Sequence, residues 1–535
     1  MNGALTQDVF TARRHTIGDL LARTAARFPG RTALVWGELR ETYAELDRTV
    51  NRVANAMAAR GIRQGDRVVL LAHNSREFVL VHFALAKLGA ISVPVNFMLN
   101  ADEVAFIIEH AGGTSFIVED ALAPVMFEAI EKAGAIDLTL AQGWITSPGG
   151  SPDVRPAGWD DVLTTWAVHD DDSPPTVQID GDDVLQIMYT SGTESRPKGV
   201  SLTSSSLIAQ YVSCIIESGM TEDDVEIHSL PFYHCAQLHC FLTPDVYLGA
   251  TSIVLPRPDP AMICETIERE RVTKLFCPPT VWISLLRSPA FEQHDLSSLR
   301  KGYYGASLMP LEVLREIGER LPNVQLWNFY GQTEMAPLAT ILKPQFQVSH
   351  AGSAGIASLN VETRVVDDDD REVPRGEVGE IVHRSPHAMV GYWNDPEKTS
   401  VAFRNGWFHS GDLGVMDADG YLTIVDRKKD MIKSGGENVA SKEVEEALYQ
   451  HPAVAEAAVF GIQDPRWIEA VTAAVVLRAG MSATPDELVA HARARLAPYK
   501  SPKHIVIVDA LPKNPSGKVL KRELRTTYAD LSDPA

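Results

Sequence analysis

Tyr189-Thr-Ser-Gly-Thr-Glu-Ser-Arg-Pro-Lys-Gly-Val200 gathers hydroxyls, glycines and one lysine into a single short stretch. The apolar run Val184-Leu-Gln-Ile-Met-Tyr189 ahead of it reads as a buried strand, and Ser204–Ile216 behind it as a helix. A sharp turn between two such elements points successive backbone N–H groups and hydroxyls into one concavity, which suits a polyphosphate. Pro197-Lys198-Gly199 closes the turn where a Walker A loop would need Gly-Lys-Ser/Thr, so the stretch is not a Walker A loop; taken alone it reads either as a phosphate loop of another kind or as a Ser/Thr/Gly surface loop.

The elements that must position this loop alternate regularly. Helices are predicted over Thr16–Phe28 and from Thr42 to about Ala59, then a strand Arg67–Leu71, a helix Arg76–Leu88 and a strand Ala90–Val95. Glu103–His110 continues as a helix and Thr114–Val118 as a strand. Apolar strands separated by amphipathic helices signal βαβ units and a mostly parallel sheet. Ser147–Asp183, rich in Pro, Gly and Asp, reads as a polar linker or surface excursion. The alternation resumes with strands at Val225–Leu230, Ala250–Leu255, Val272–Phe276, Leu299–Tyr304 and Val324–Phe329, and helices at Ala261–Glu270 and Pro310–Arg320. From about 360 to 425, glycine-punctuated strands follow one another without helices, a small β-rich subdomain. Beyond the charged bridge Asp426–Asp430 lies a compact α+β module. The boundary is placed there, giving domains 1–428 and 429–535. Asp367–Asp370 reads as a solvated turn.

At 535 residues the chain exceeds a single core. Its 49 Lys plus Arg against 70 Asp plus Glu give a net charge of −21, the wrong sign for nucleic acid or an anionic membrane. An acidic protein that holds a polyanion needs a local pocket and a cation. The first residues lack the apolar run of a signal peptide, and no stretch approaches about 18 uninterrupted apolar residues. Five cysteines without a CxxC pair fit a reducing compartment, so a soluble cytoplasmic protein is expected.

Six further stretches follow the loop in order: Leu230-Pro-Phe-Tyr-His-Cys235, Tyr303-Tyr-Gly-Ala-Ser307, Asn328-Phe-Tyr-Gly-Gln-Thr-Glu334, Gly406-Trp-Phe-His-Ser-Gly-Asp412, Asp426-Arg-Lys-Lys-Asp-Met-Ile-Lys-Ser-Gly-Gly-Glu437 and Pro512-Lys-Asn-Pro-Ser-Gly-Lys518. Together they resemble the adenylate-forming superfamily of acyl-CoA synthetases, luciferases and peptide-synthetase adenylation domains. The resemblance runs from about Thr16 to Arg525 and is greatest to fatty-acyl-CoA synthetases. It implies an α/β fold: a large N-terminal domain of mixed and parallel sheets with flanking helices and a β-rich subdomain, and a small mobile α+β C-terminal domain.

The resemblance also implies roles. ATP, Mg²⁺ and coenzyme A are the expected cofactors and co-substrates, with a small carboxylic acid as the partner. Thr190, Ser191, Gly192, Thr193 and Lys198 would hold the β- and γ-phosphates. Glu334, with help from Thr190, would ligate Mg²⁺, which takes hard oxygen ligands. Thr333 would donate to the α-phosphate. Tyr330 offers a face to adenine, Gly305, Ala306 and Ser307 a backbone edge, Asn328 a reader of the exocyclic amine, and Gly331 the turn between. Asp412 and Arg427 match the ribose contacts.

His234 would gate the acyl carboxylate, although His234-Cys235 and His239-Cys240 also offer four metal-ligand types. Trp407 is either a packed aromatic or a second gate. Lys518 would bridge the acyl carboxylate and the α-phosphate. Lys429 stands at the domain hinge, and Lys433-Ser-Gly435-Gly436 would shape the thiol tunnel.

One departure stands out. Glu194-Ser195 replaces the family's Thr-Gly, putting a carboxylate near the phosphates. Two like charges ~4 Å apart cost roughly 4 kcal/mol at an effective dielectric of 20, so Glu194 is expected to turn away, pair with Arg196 or lie near the magnesium.

The reading is an ATP-dependent carboxylate–CoA ligase for medium- to long-chain fatty acids. Its rivals are an aryl or branched acid, an amine or carrier-protein acceptor, and a nucleotide-binding protein without catalysis. A homodimer is compatible with all of them.

Overall fold

The computed structural model describes residues 3–134, 141–147, 150, 155–190, 196–307, 309–435, 437–513 and 519–532. The chain divides into two compact units. The larger comprises Met1–Thr190, Pro197–Thr363 and His383–Phe408; the described residues of the smaller fall mainly in Arg364–Val382 and His409–Ala535.

The larger unit is built on two mixed sheets. Among the described residues, one has nine strands. Its centre is the parallel set Thr32–Trp36, Thr251–Val254, Val225–His228, Lys274–Phe276, Lys301–Gly305 and Gln325–Gly331. Antiparallel strands close both edges. The other has eight strands, with Val184–Thr190, Ile91–Pro94, Arg67–Leu71, Ser115–Glu119, Gln142–Ile145 and Trp159–Asp161 parallel. Loops at the carboxyl ends of such strands are where open α/β sheets place their ligands. His234, Ala306, Thr333 and Thr190 all stand at or just beyond such ends.

Local chemistry explains the helices. Arg76–Leu88 starts where Ser75 accepts from the amide of Phe78 and stops at Gly89, whose φ of 67° suits a residue without a Cβ. Every residue from Glu77 to Leu88 is buried, the apolar majority together with Glu77, His82 and Lys87. Its side chains join one core cluster with Leu70, Tyr211, Leu238 and Met335, each fully buried aromatic or aliphatic group contributing about 1.5–3 kcal/mol. Ser204–Ser218 is capped by Thr203, which accepts from Ser206, and closed by Gly219.

Three expectations change. The phosphate loop does not run from strand directly to helix: Lys198–Thr203 is itself a strand, antiparallel to Val184–Thr190, with Thr190 opposite Lys198. The stretch is therefore a hairpin. Ser147–Asp183 is more than a linker, because Trp159–Asp161 forms an edge strand and Trp159, Val162 and Trp166 are buried. The region from 360 to 425 holds the expected strands Glu362–Val366, Val378–Arg384, Trp407–Met416 and Leu422–Arg427, but also a helix, Pro396–Ala402, started by Asp395.

In the smaller unit, Val454–Asp464 and Ile468–Leu477 form a long antiparallel pair. His504–Ile507 adds in parallel, and helices Ser441–Tyr449 and Pro485–Arg493 pack their apolar faces into the same core.

Candidate active site

Two of the predicted phosphate and metal residues are tied together by a tyrosine that no motif singled out. Lys198 opens the returning strand of the hairpin, and Gly391–Tyr392 pairs alongside that strand, with Tyr392 opposite Val200. Trp393 donates its amide to Gly199 O at 2.7 Å, locking the register. The Lys198 ammonium consequently lies 4.7 Å from the centroid of the Tyr392 ring, within cation–π range. The Tyr392 hydroxyl donates to Oε1 of Glu334 at 2.9 Å, and the Glu334 carbonyl accepts from Met389 N at 2.8 Å. Burial, followed by the Glu334 charge, pushes the Tyr392 phenol far up, so it remains a donor. Glu334 is buried in the one-turn helix Thr333–Met335, against which the strand Lys198–Thr203 packs. A carboxylate has lone pairs for both Tyr392 and a cation, and an oxygen ligand beside a phosphate hairpin suits Mg²⁺.

The residues expected to face the nucleotide lie on the neighbouring strands Lys301–Gly305 and Gln325–Gly331 or just beyond them. A Cβ on Gly305 would lie 2.6 Å from Phe329 O, and one on Gly331 1.8 Å from Pro337 O, so close backbone packing excludes a side chain at both positions. Ala306 takes a φ of 66° and, with Ser307, is exposed at the strand end. Tyr330 is half-buried, its ring centroid 6.3 Å from that of His383. Asn328 is buried and its amide nitrogen donates to Ser353 O at 3.0 Å, so an exocyclic amine would be received by its Oδ1.

His234 lies in an exposed turn closed by its own amide, which donates to Pro231 O at 3.1 Å. Its Nδ1 accepts from Ala236 N at 3.2 Å. Crowding by surrounding protein atoms lowers its pKa by desolvation, so the ring is neutral near pH 7 and carries its proton on Nε2. It presents a single N–H donor. Next to it, Cys235 Sγ lies 3.2 Å from Thr333 Oγ1, which brings the turn to the Thr333 hydroxyl. Burial pushes the Cys235 thiol up to about 12, and it stays protonated. His239 is engaged through both nitrogens, by Tyr211 Oη at 2.7 Å and by Gln186 Oε1, and Cys240 by Gln210. Each of these four side chains thus has a partner within the protein. Trp407 carries the Arg384 guanidinium 4.6 Å from its ring centroid.

In the smaller unit, Asp412 stands opposite Arg427 in the antiparallel pair, with Arg427 Nε 2.7 Å from Asp412 Oδ1. Lys429 is exposed; its neighbour Lys428 bridges Asp368 and Glu380. Lys433 is exposed on Ile432–Ser434, which hairpins back through Gly435 to Glu437–Val439. Gly435, at φ 64°, donates its amide to Trp467 O at 2.6 Å, and a Cβ there would meet the Trp467 ring at 3.2 Å. Trp467 was not singled out from the sequence. Arg466 lies 5.0 Å and Lys503 4.7 Å from its ring centroid. Burial, then to a smaller extent the nearby charges of Arg493 and Arg466, lower the pKa of the Lys503 ammonium.

Ser191, Gly192, Thr193, Glu194, Gly436 and Lys518 lie outside the described residues. Among the described residues, one His/carboxylate cluster has the spacing of a metal site, Glu226, His228 and Asp245. The buried Lys274 ammonium already fills it, 2.7 Å from Glu226 and paired with Asp245.

Comparison with known proteins bears on all of this. The family of AMP-binding enzymes matches residues 21–393, and the C-terminal domain of AMP-binding enzymes matches 443–518. The chain is 38% identical over 516 residues to a feruloyl-CoA synthase of an Amycolatopsis species, covering 96% of this chain and 100% of that one. It is 36% identical over 492 residues to the long-chain-fatty-acid–CoA ligase FadD13 of Mycobacterium tuberculosis, covering 92% and 94%. ATP-bound MatB from Rhodopseudomonas palustris superposes with a TM-score of 0.86 at 31% identity, covering 97% of this chain and 100% of that one. The protein belongs to the adenylate-forming superfamily, as an ATP-dependent acyl-CoA ligase that uses ATP, Mg²⁺ and coenzyme A.

Proposed function

We propose that this ligase activates a hydrophobic monocarboxylic acid, a fatty acid of medium to long chain, and transfers it to coenzyme A in the cytoplasm. The observation that carries the acid class is the uncharged stretch that meets Thr333: Cys235, Ala236 and Leu238 are buried or half-buried, and Cys235 Sγ lies 3.2 Å from the Thr333 hydroxyl oxygen. The likeness to the fatty-acid ligase supports the same reading. A second reading, an aryl acid, is favoured by the likeness to the feruloyl-CoA synthase.

The chemistry runs in two steps. A carboxylate oxygen of the acid bonds to the α-phosphorus of ATP and pyrophosphate leaves; the thiol then attacks the acyl carbon and AMP leaves. Lys198 and the hairpin hold the outer phosphates, Thr333 donates to the α-phosphate, and the Nε2–H of His234 faces the acid. Mg²⁺ at Glu334 and Thr190 supplies positive charge to the phosphates when bound. Preorganised donors of this kind stabilise charge that develops only during reaction.

Residues 1–428 carry adenylation and 429–535 the lid, hinged at Lys429, with Asp412 and Arg427 on the ribose and Lys518 serving the first step. The Trp467 ring with Arg466, Lys503 and Arg493 makes a basic, aromatic shelf beside the Gly435 turn, suited to a phosphorylated, adenine-bearing thiol rather than a simple amine.

Pyrophosphate release and hydroxamate trapping across octanoate, dodecanoate, palmitate, benzoate and ferulate test the acid. Faster turnover of ferulate or benzoate than of every fatty acid would reject the first reading. Sedimentation velocity reads whether the monomer or a homodimer acts.

A further inference from the structure

The segment that carries His234 is held by side chains from outside it. Asn74, in the turn after the strand Arg67–Leu71, is 3% exposed. Its Nδ2 donates to Leu230 O at 2.7 Å and its Oδ1 accepts from Phe232 N at 2.8 Å, so one amide clasps the backbone on both sides of Pro231. Gln237 takes the remaining polar group of Leu230, its Oε1 accepting from Leu230 N at 3.3 Å. The Gln237 amide nitrogen donates to His228 Nδ1 at 2.8 Å, which leaves the His228 proton on Nε2, 3.4 Å from Asp245 Oδ2. Asp245 is anchored in turn by Lys274. The corner is therefore fixed from two directions, and the ring of Phe232 is buried against Phe78 with centroids 5.5 Å apart.

We propose that Asn74 and Gln237 are positioning residues for acid activation, clamping Leu230–Cys235 so that the His234 N–H meets the reacting carboxylate. This rests on the reading of His234 as the gate at the acid. The connection is continuous. The clasped Pro231 carbonyl accepts the His234 amide, and the His234 ring is fixed by Ala236 N, one residue before Gln237. Neither clamp residue touches a reacting atom. Each satisfies a backbone group that would otherwise be free to turn toward water and swing the loop. Positioning of this kind matters because displacing a reacting group by about 1 Å can cost on the order of 10²-fold in rate.

The test is a double-mutant cycle on adenylation, read by ATP–pyrophosphate exchange with dodecanoate or ferulate, whichever the native enzyme uses faster. Asn74→Ala is expected to raise the acid KM by about tenfold, the scale of one or two lost hydrogen bonds, and to leave the ATP KM within about twofold. In the His234→Ala background the same substitution is expected to change the acid KM by less than about twofold, because the group it positions is gone. Gln237→Leu repeats the cycle from the other side of the corner, and takes its place if Asn74→Ala does not fold. Additive effects of the clamp and His234 substitutions, or an equal rise in both KM values, overturn the clamp. An unchanged acid KM in His234→Ala alone overturns the gate reading, and the clamp with it.

Discussion

The hydroxyl of Tyr392 donates to Glu334 Oε1 at 2.9 Å while the ring of the same tyrosine lies under the Lys198 ammonium. One side chain thus sets both the carboxylate proposed for Mg²⁺ and the cation proposed for the outer phosphates. Tyr392→Phe keeps the ring and strips Glu334 of its donor, leaving a buried carboxylate oxygen without that partner. The loss is expected to be about 1–3 kcal/mol, read as a rise in the Mg²⁺ concentration needed for half-maximal exchange and in the Mg²⁺ dependence of ATP binding by fluorescence. Tyr392→Leu, which removes the ring as well, is expected to raise the ATP Kd further. An unaltered Mg²⁺ dependence in Tyr392→Phe would show that the hydroxyl does not orient Glu334.

Trp467→Ala removes the platform shared by Arg466 and Lys503 in the smaller unit. Stacking and cation–π contacts of this size amount to about 1–3 kcal/mol, so the CoA KM is expected to rise by roughly 5- to 150-fold. Pyrophosphate release in the absence of CoA should be unchanged. Equal damage to both half-reactions would mean that Trp467 supports the fold rather than the thiol.

The two half-reactions should also separate Lys518 from the Gly435 turn. In the proposed reaction the charge of Lys518 would be useful when the carboxylate meets the α-phosphate and idle once the acyl-adenylate exists. Lys518→Ala is expected to slow adenylation by roughly 10²-fold or more and to spare thioester formation from supplied acyl-adenylate. Gly435→Val should do the reverse, because a side chain there would both press on Trp467 and occupy a left-handed φ. Single-turnover measurement of each step decides, and parallel losses in Lys518→Ala would remove the main support for a hinge at Lys429.

Buried neutral histidines give the fold an acid limit. Burial holds His82 and His387 at about 4, well below the ordinary 6.5. Above pH 6.5 neither the folded nor the unfolded chain protonates them. Between 6.5 and about 4 the unfolded chain takes up protons that the folded one refuses, so stability falls as the pH drops, by up to about 1.4 kcal/mol per pH unit per histidine. Urea midpoints measured between pH 7.5 and 4.5 should decline through that window, and His82→Gln should flatten the decline. A midpoint independent of pH down to 4.5 would contradict the burial of these rings as neutral groups.

The proposed site is written along the chain because its parts are local. A turn suited to a phosphate writes its glycines and hydroxyls into consecutive residues, as proposed for Thr190–Lys198, and a strand suited to end at a ligand writes its glycine beside its polar group, as proposed for Gly331–Glu334. The alternation of apolar strands and amphipathic helices likewise determined the parallel sheets and most of their elements, since side-chain periodicity is a property of neighbouring residues. The strand Lys198–Thr203 escaped notice because Lys-Gly-Val-Ser-Leu-Thr is too short and too polar to announce itself; its partner Val184–Thr190 makes it a strand.

Tertiary structure alone decided which distant groups support the local ones. Tyr392 reaches Glu334 across 58 positions of sequence, and Asn74 reaches Leu230 across 156. Trp467 meets Gly435 only because the Gly435 amide finds its carbonyl. A tyrosine, an asparagine and a tryptophan carry no mark of such duties in their own surroundings. Their proposed roles come from tertiary packing, which brings each to a residue proposed for the site.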